Sequence, residues 1–275
     1  MWIFFTLATT LIWGAAELFY KKGSHDDEKY GHLKVCILVG AVMGIHAIFT
    51  LLTQDVGLEI AHLITYLPVS LCYIGSMALS FFGIRFLQES ISDPVENTSG
   101  AICSLLCMIF LSQKISFGAW MAIAVIVIGI LGVGFLEKKE GNRAAKYGKK
   151  LAIISFMMPF GYALIDAIGS FLDVYYLEPE ITPLKNVTPD NIELVANASY
   201  ELTFALVAVV LFIFMKIKKV KFMKKCFTLM TTLALAIGFA TRKITRNALQ
   251  YAILPTMPFL SPATRIFRYS TLWKK

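Results

Sequence analysis

The sequence predicts an all-α integral membrane protein, a multi-span helix bundle, and three observations carry that reading. Residues of the AVILMFWYC set make up 57% of the 275, and charged residues only 16%. An ordinary soluble domain holds roughly a quarter charged residues and about 45–50% apolar ones. The apolar residues fall in runs of about 20, the length a helix needs to cross a hydrocarbon core about 30 Å thick. The net charge is +8, but the basic residues gather in short segments between those runs, where lipid headgroups rather than nucleic acid answer them. An open sheet edge cannot satisfy its backbone in lipid, so the runs are helices.

Taken in order, the spans fall near 2–20, 33–53, 66–84, 94–112, 117–136, 151–172 and 194–215. The segment 226–240 is apolar but shorter than a full crossing, which makes the count seven or eight. The first run, Trp2–Tyr20, has no basic residue before it and is followed directly by Lys21 and Lys22, so it reads as a retained span rather than a cleaved signal. Residues 137–150 form a basic linker, and 173–193 read as an acidic, Pro-rich surface loop. Small residues mark close helix contacts: Gly40 and Gly44 in the second span, Ser76 and Ser80 in the third, Gly129, Gly132 and Gly134 in the fifth.

Polar stripes at helical spacing interrupt several spans. Thr6, Thr10, Trp13, Glu17 and Tyr20 share a face of the first, and Tyr66, Ser70, Tyr73 and Ser80 one of the third. Glu96, Gly100, Cys103 and Cys107 align in the fourth, and Pro159, Tyr162, Asp166, Gly169 and Asp173 in the sixth. A carboxylate within a span costs about 2.5–3.5 kcal/mol or more on insertion scales, so such residues usually face a bundle interior or a wet cavity. Asp166 is mid-span. Glu17 could instead snorkel toward Lys21 and Lys22, and Asp93 and Glu96 could cap the start of the fourth helix. His46 reads as a hydrogen-bonded packing residue, and Glu201 stands one turn from Asn197. The five cysteines form no CxxC and the four histidines no HExxH pair, so no metal set and no cofactor is expected. With no nucleophile–base pair or phosphate loop either, an enzyme is not expected.

Short signatures along the first half resemble the drug/metabolite transporter superfamily, in its EamA-like branch. They are Trp13 and Gly14 in the first span, the Tyr20–Gly23 end of that span, and Gly83–Phe86 closing the third. Ser92, Asp93 and Pro94 opening the fourth span, Phe110–Ser116 after it, and Gly129 and Gly132 in the fifth complete the set. The resemblance implies two five-helix repeats of opposite orientation, substrate bound near the midplane, and alternating access by rocking of one half. On that footing 1–136 is an EamA-like five-helix repeat, 137–150 a basic linker, 151–240 an incomplete second repeat and 241–275 an atypical basic tail. Gln113 departs from the family's usual Glu. The family pattern stops after Gly238, and the tail holds seven Lys or Arg and no acid, so the second half reads as truncated or frameshifted.

The function expected is a multi-pass transporter, an exporter or exchanger, of a small metabolite in the plasma membrane. Trp13, Glu17, Tyr73, Glu96 and Asp166 are its candidate substrate path. Glu17 and Asp166 would couple protons or cations, and Trp13 and Tyr73 would stack on or hydrogen-bond the substrate. Expected partners are the bilayer, a small-molecule substrate and, as a homodimer, a second copy, with no nucleic acid. The alternatives are a non-transporting membrane scaffold or partner subunit and a degenerate transporter relative. Topology follows from the basic residues: segments 21–34, 85–93, 137–150 and 216–225 hold 17 Lys or Arg, whereas the N-terminus and segments 54–65, 113–116 and 173–193 hold 2. Positive segments stay in the cytoplasm, which puts the N-terminus outside, opposite to the family's usual orientation. In a cysteine-free background, a single cysteine at Lys185 should react with an impermeant thiol reagent in intact cells and one at Lys146 should not; the reverse pattern would invert the topology.

Overall fold

A computed structural model describes residue 20 and residues 29–87, 89–112, 117–137 and 149–220. Among these, every regular element is an α-helix: α1 (Gly31–Thr53), α2 (Ile60–Gly83), α3 (Glu89–Glu96), α4 (Ser99–Phe110), α5 (Phe117–Glu137), α6 (Lys149–Leu177) and α7 (Ile192–Ile217). Gly31–Thr53, Ile60–Gly83, Ile153–Leu177 and Ile192–Ile217 are long and apolar enough to cross a membrane. Their outer faces keep large apolar side chains, such as Leu52 and Ile217, uncovered by protein, as acyl chains require. The first span (2–20), the segment 226–240 and the tail 241–275 lie outside the described residues, as does most of the 137–150 linker.

The described chain gathers into two compact units, one with residues up to Leu67 and again from Asn186, the other with Pro68–Lys185. In the first unit α1 and α7 run antiparallel. The Tyr30 ring meets Phe214 edge-on at 6.3 Å, and a cluster of Val56, Val195 and Ala198 closes the other end. Between them the backbones nearly touch: a Cβ on Gly40 would lie 2.5 Å from the Phe204 carbonyl oxygen, and one on Gly44 2.7 Å from the Ala205 Cβ. The glycine pair read from sequence as a contact face is thus the α1 face against α7. The turn from α1 to α2 passes through Gly57 at φ +67, a left-handed conformation suited to glycine. Asn186 Nδ2 donates to Glu59 nearby, at 3.1 Å.

In the second unit α2 runs antiparallel to α6. A Cβ on Gly169 would meet that of Cys72 at 2.9 Å, and Gly161 and Gly83 press on Leu79 and Met158 respectively, both at 3.3 Å. Helix α4 runs parallel to α6, with Cys103 and Cys107 packed on Ala167 and Val174 and the Phe110 ring 5.6 Å from that of Phe171. The cysteines are free thiols in this packing.

Three sequence expectations are corrected. The fourth span is not one helix over 94–112 but two, α3 and α4, parted at Asn97 and Thr98. Asn97 Nδ2 donates to the Asp93 carbonyl at 2.7 Å and Thr98 Oγ1 to that of Val95 at 2.7 Å, while the Thr98 amide turns to Val95 in a tight three-residue step. Short polar side chains that bond their own backbone compete with the helix ladder. Because α3 begins at Glu89, neither Asp93 nor Glu96 caps its start. Helix α6 runs through Leu177, so the loop read as 173–193 shrinks to 178–191. Val174 packs on the cysteine cluster and Asp173 is buried, which keeps that last turn helical.

Gly40→Leu should lower stability by about 1–3 kcal/mol, because its side chain has nowhere to go but into α7. Thermal unfolding in detergent, followed by size-exclusion chromatography, checks this; an unchanged midpoint would mean the α1–α7 seam is looser than described.

Candidate functional site

Polar side chains of α2, α3, α4 and α6 meet inside the second unit. Asp166, Ser76, Tyr73, Ser170 and Asp173 are all buried. The stripe read on α6 is the face turned inward, since Pro159 and Tyr162 are buried with Asp166 and Asp173. Asp166 accepts a long hydrogen bond from Ser76 Oγ at 3.4 Å on Oδ1, and Ser99 at the start of α4 turns a hydroxyl toward the same carboxyl. Asp166 Oδ2 has no partner among the described residues. Tyr73 turns to Ser170. Its hydroxyl donates to Ser170 Oγ at 3.3 Å.

Glu96 ends α3, where the helix dipole opposes a carboxylate. What holds it there is a pair of hydroxyls: Ser80 Oγ donates to Oε2 at 2.8 Å, and Ser92 Oγ to Oε1 at 2.8 Å. Its charge and that of Asp166 are close enough to act on each other. The helix therefore breaks just where two carboxyls gather. Discontinuous helices expose unpaired backbone groups beside a binding site in many transporters, and intramembrane carboxyls handle ions or substrate.

Of the five residues read as a substrate path, the structure brings Tyr73, Glu96 and Asp166 into this one cluster. Trp13 and Glu17 lie outside the described residues. Ser99 and Ser170 belong to the cluster and were not singled out from sequence, and Ser92 was read only as part of a family signature. A signal existed for Ser92, which precedes Glu96 by four residues and so shares its helix face.

A second polar contact lies in the first unit. His46 Nδ1 meets both carboxylate oxygens of Glu201, at 2.9 and 2.8 Å, across the α1–α7 seam. Glu201 is buried, whereas His46 is half-exposed. His46 is thus hydrogen-bonded, as expected, and its partner is the carboxylate that sequence left beside Asn197.

The model of the EamA-like transporter family matches residues 1–135. That segment is thus similar to the EamA-like transporter family. Members are membrane transporters of the drug/metabolite type, and with four helices long and apolar enough to cross a bilayer the chain is a multi-pass membrane protein. No curated protein and no solved structure matches it. The EamA-like segment contributes Tyr73, Ser76, Ser80, Glu96 and Ser99 to the cluster, and Asp166 comes from beyond it.

A double-mutant cycle of His46→Ala and Glu201→Ala should give a coupling of about 0.5–2 kcal/mol, the range of interhelical hydrogen bonds in membranes. Unfolding of the purified protein in mixed micelles measures it; additivity of the two substitutions would show that the contact adds nothing to the seam.

Proposed function

We propose that the chain is a plasma-membrane transporter that carries a small polar metabolite by alternating access, with Tyr73, Glu96 and Asp166 in its substrate path. The observation that supports this most is the break between α3 and α4 beside two buried carboxyls, inside a unit that is mostly EamA-like. A helix interrupted within the bilayer is costly unless it lines a site, because its freed backbone groups need partners. Tyr73 supplies a phenol that orients polar cargo, and Asp166 handles a cation or proton. Trp13 and Glu17 of the first span complete the path in this reading, stacking on cargo and coupling its movement. The five-helix repeat over 1–136 and the incomplete second repeat after the linker are part of the same proposal.

Reconstitution of the full chain into liposomes loaded with a metabolite mixture, followed by mass spectrometry of the external medium, tests it. Selective efflux of one or more solutes is expected. Glu96→Gln and Asp166→Asn should each slow it about tenfold or more, with membrane insertion unchanged, as loss of a functional intramembrane carboxyl does. Wild-type efflux in both variants would leave the cluster as packing; no selective flux at all would favour a non-transporting membrane role.

A further inference from the structure

The unmet valences of the cluster bear on what it accepts. Both oxygens of Glu96 are engaged by seryl hydroxyls. The Ser76 hydroxyl has one proton and two acceptors, the Tyr73 carbonyl at 2.9 Å and Asp166 Oδ1 at 3.4 Å. The shorter contact is the stronger, so what Asp166 receives from Ser76 is a long, weak bond. Its Oδ2 accepts nothing, although the residue is 0% exposed. Around Asp166 stand the hydroxyls of Ser76 and Ser99, and around Glu96 those of Ser80 and Ser92 with the acids Asp93 and Asp166. The groups that act on the two carboxyls are hydroxyls and acids. Arg85 is buried in the same unit but lies over the Phe82 and Phe86 rings, 5.9 and 5.0 Å from their centres.

Resting on the transporter reading, we propose that the cargo of this site is a small organic ammonium ion whose N–H donates to Asp166 Oδ2. A buried acid with an open oxygen and no counter-charge is costly, and a cationic N–H donor supplies both the missing bond and the missing charge. An anionic cargo would meet two carboxyls of its own sign. A divalent metal ion such as calcium would need six or more oxygen ligands, whereas both oxygens of the neighbouring Glu96 are already engaged by seryl hydroxyls. Among the described residues no group of three or more His, Cys, Asp or Glu side chains could hold a metal. Tyr162, buried one turn before Asp166 on the same face, adds an aromatic ring of the kind that attracts ammonium groups. Because Asp166 is enclosed, cargo reaches it only when the helices around it part, and the α3–α4 break is a natural place for that movement.

The test is equilibrium binding to the full chain in lipid nanodiscs. The probes are radiolabelled methylamine, putrescine and phenethylamine, with succinate, glucose and sodium chloride beside them. Saturable binding of at least one amine is expected, weakened about tenfold or more by Asp166→Asn and retained by Asp166→Glu. Size-exclusion chromatography verifies that each variant is folded. Should Asp166→Asn not fold, a double Ser76→Ala, Ser99→Ala variant replaces it and must shift amine affinity. Succinate or glucose binding that survives Asp166→Asn, without amine binding, would overturn the ammonium assignment and leave the transporter reading standing. Protection by sodium chloride alone, or no saturable amine binding by the folded wild type, would overturn it as well. Amine binding without any flux in liposomes would count against transport and not against the cargo class.

Discussion

A carboxyl group carried into hydrocarbon must find a donor on another helix, and that requirement organises both compact units of this chain. Glu201 is met by His46, Glu96 by Ser80 as well as by its own helix, and Asp166 by Ser76. Apolar packing between helices has little driving force in lipid, since acyl chains are as apolar as leucine. The polar contacts therefore do much to decide which faces meet. They fix the rotation of α7 against α1, and of α6 against α2, more narrowly than the surrounding Leu and Ile side chains could.

Close backbone approach makes those contacts reachable. Short side chains such as serine cannot bridge helices held apart by bulky neighbours. At Gly40 and Gly44 the α1 backbone comes to α7 within the reach of His46, and at Gly161 and Gly169 α6 comes to α2 within the reach of Ser76 and Tyr73. Each unit thus pairs a glycine seam with a buried acid. The difference lies in satisfaction: Glu201 has both oxygens on one imidazole nitrogen, whereas Asp166 keeps an open oxygen. A fully answered acid suits a fixed joint. An unanswered one suits a site that something else completes.

The break between α3 and α4 is where this arrangement meets the proposed transport role. Its causes are local, in Asn97 and Thr98 bonding their own backbone, but its place is tertiary, because Glu96 at the end of α3 reaches Ser80 on α2 and Ser99 at the start of α4 turns to Asp166 on α6. Two short helices pivot more readily than one long one. The EamA-like segment brings the broken helix and most of the hydroxyls, and the chain after the basic linker brings the acid they surround.

Much of this was legible from residue order alone. Length and composition of the apolar runs gave the membrane helices, since a crossing needs a set number of apolar residues whatever its neighbours are. Period 3.6 put Pro159, Tyr162, Asp166 and Asp173 on one face, and the cost of a charge in lipid said that this face turns inward. The short signatures pointed to the family whose model matches residues 1–135. Other features were decided only by tertiary structure. The partner of an intramembrane acid is whichever donor the packing brings near, and His46 lies 155 residues from Glu201 while Ser76 lies 90 from Asp166. Hydropathy could not show the division of the fourth span either, because a helix break is made by a few hydrogen bonds among residues that remain apolar enough on average to look continuous. Which carboxyl is satisfied and which is open depends on ångström differences between helices, and those are set by the seams rather than by any residue's place in the chain.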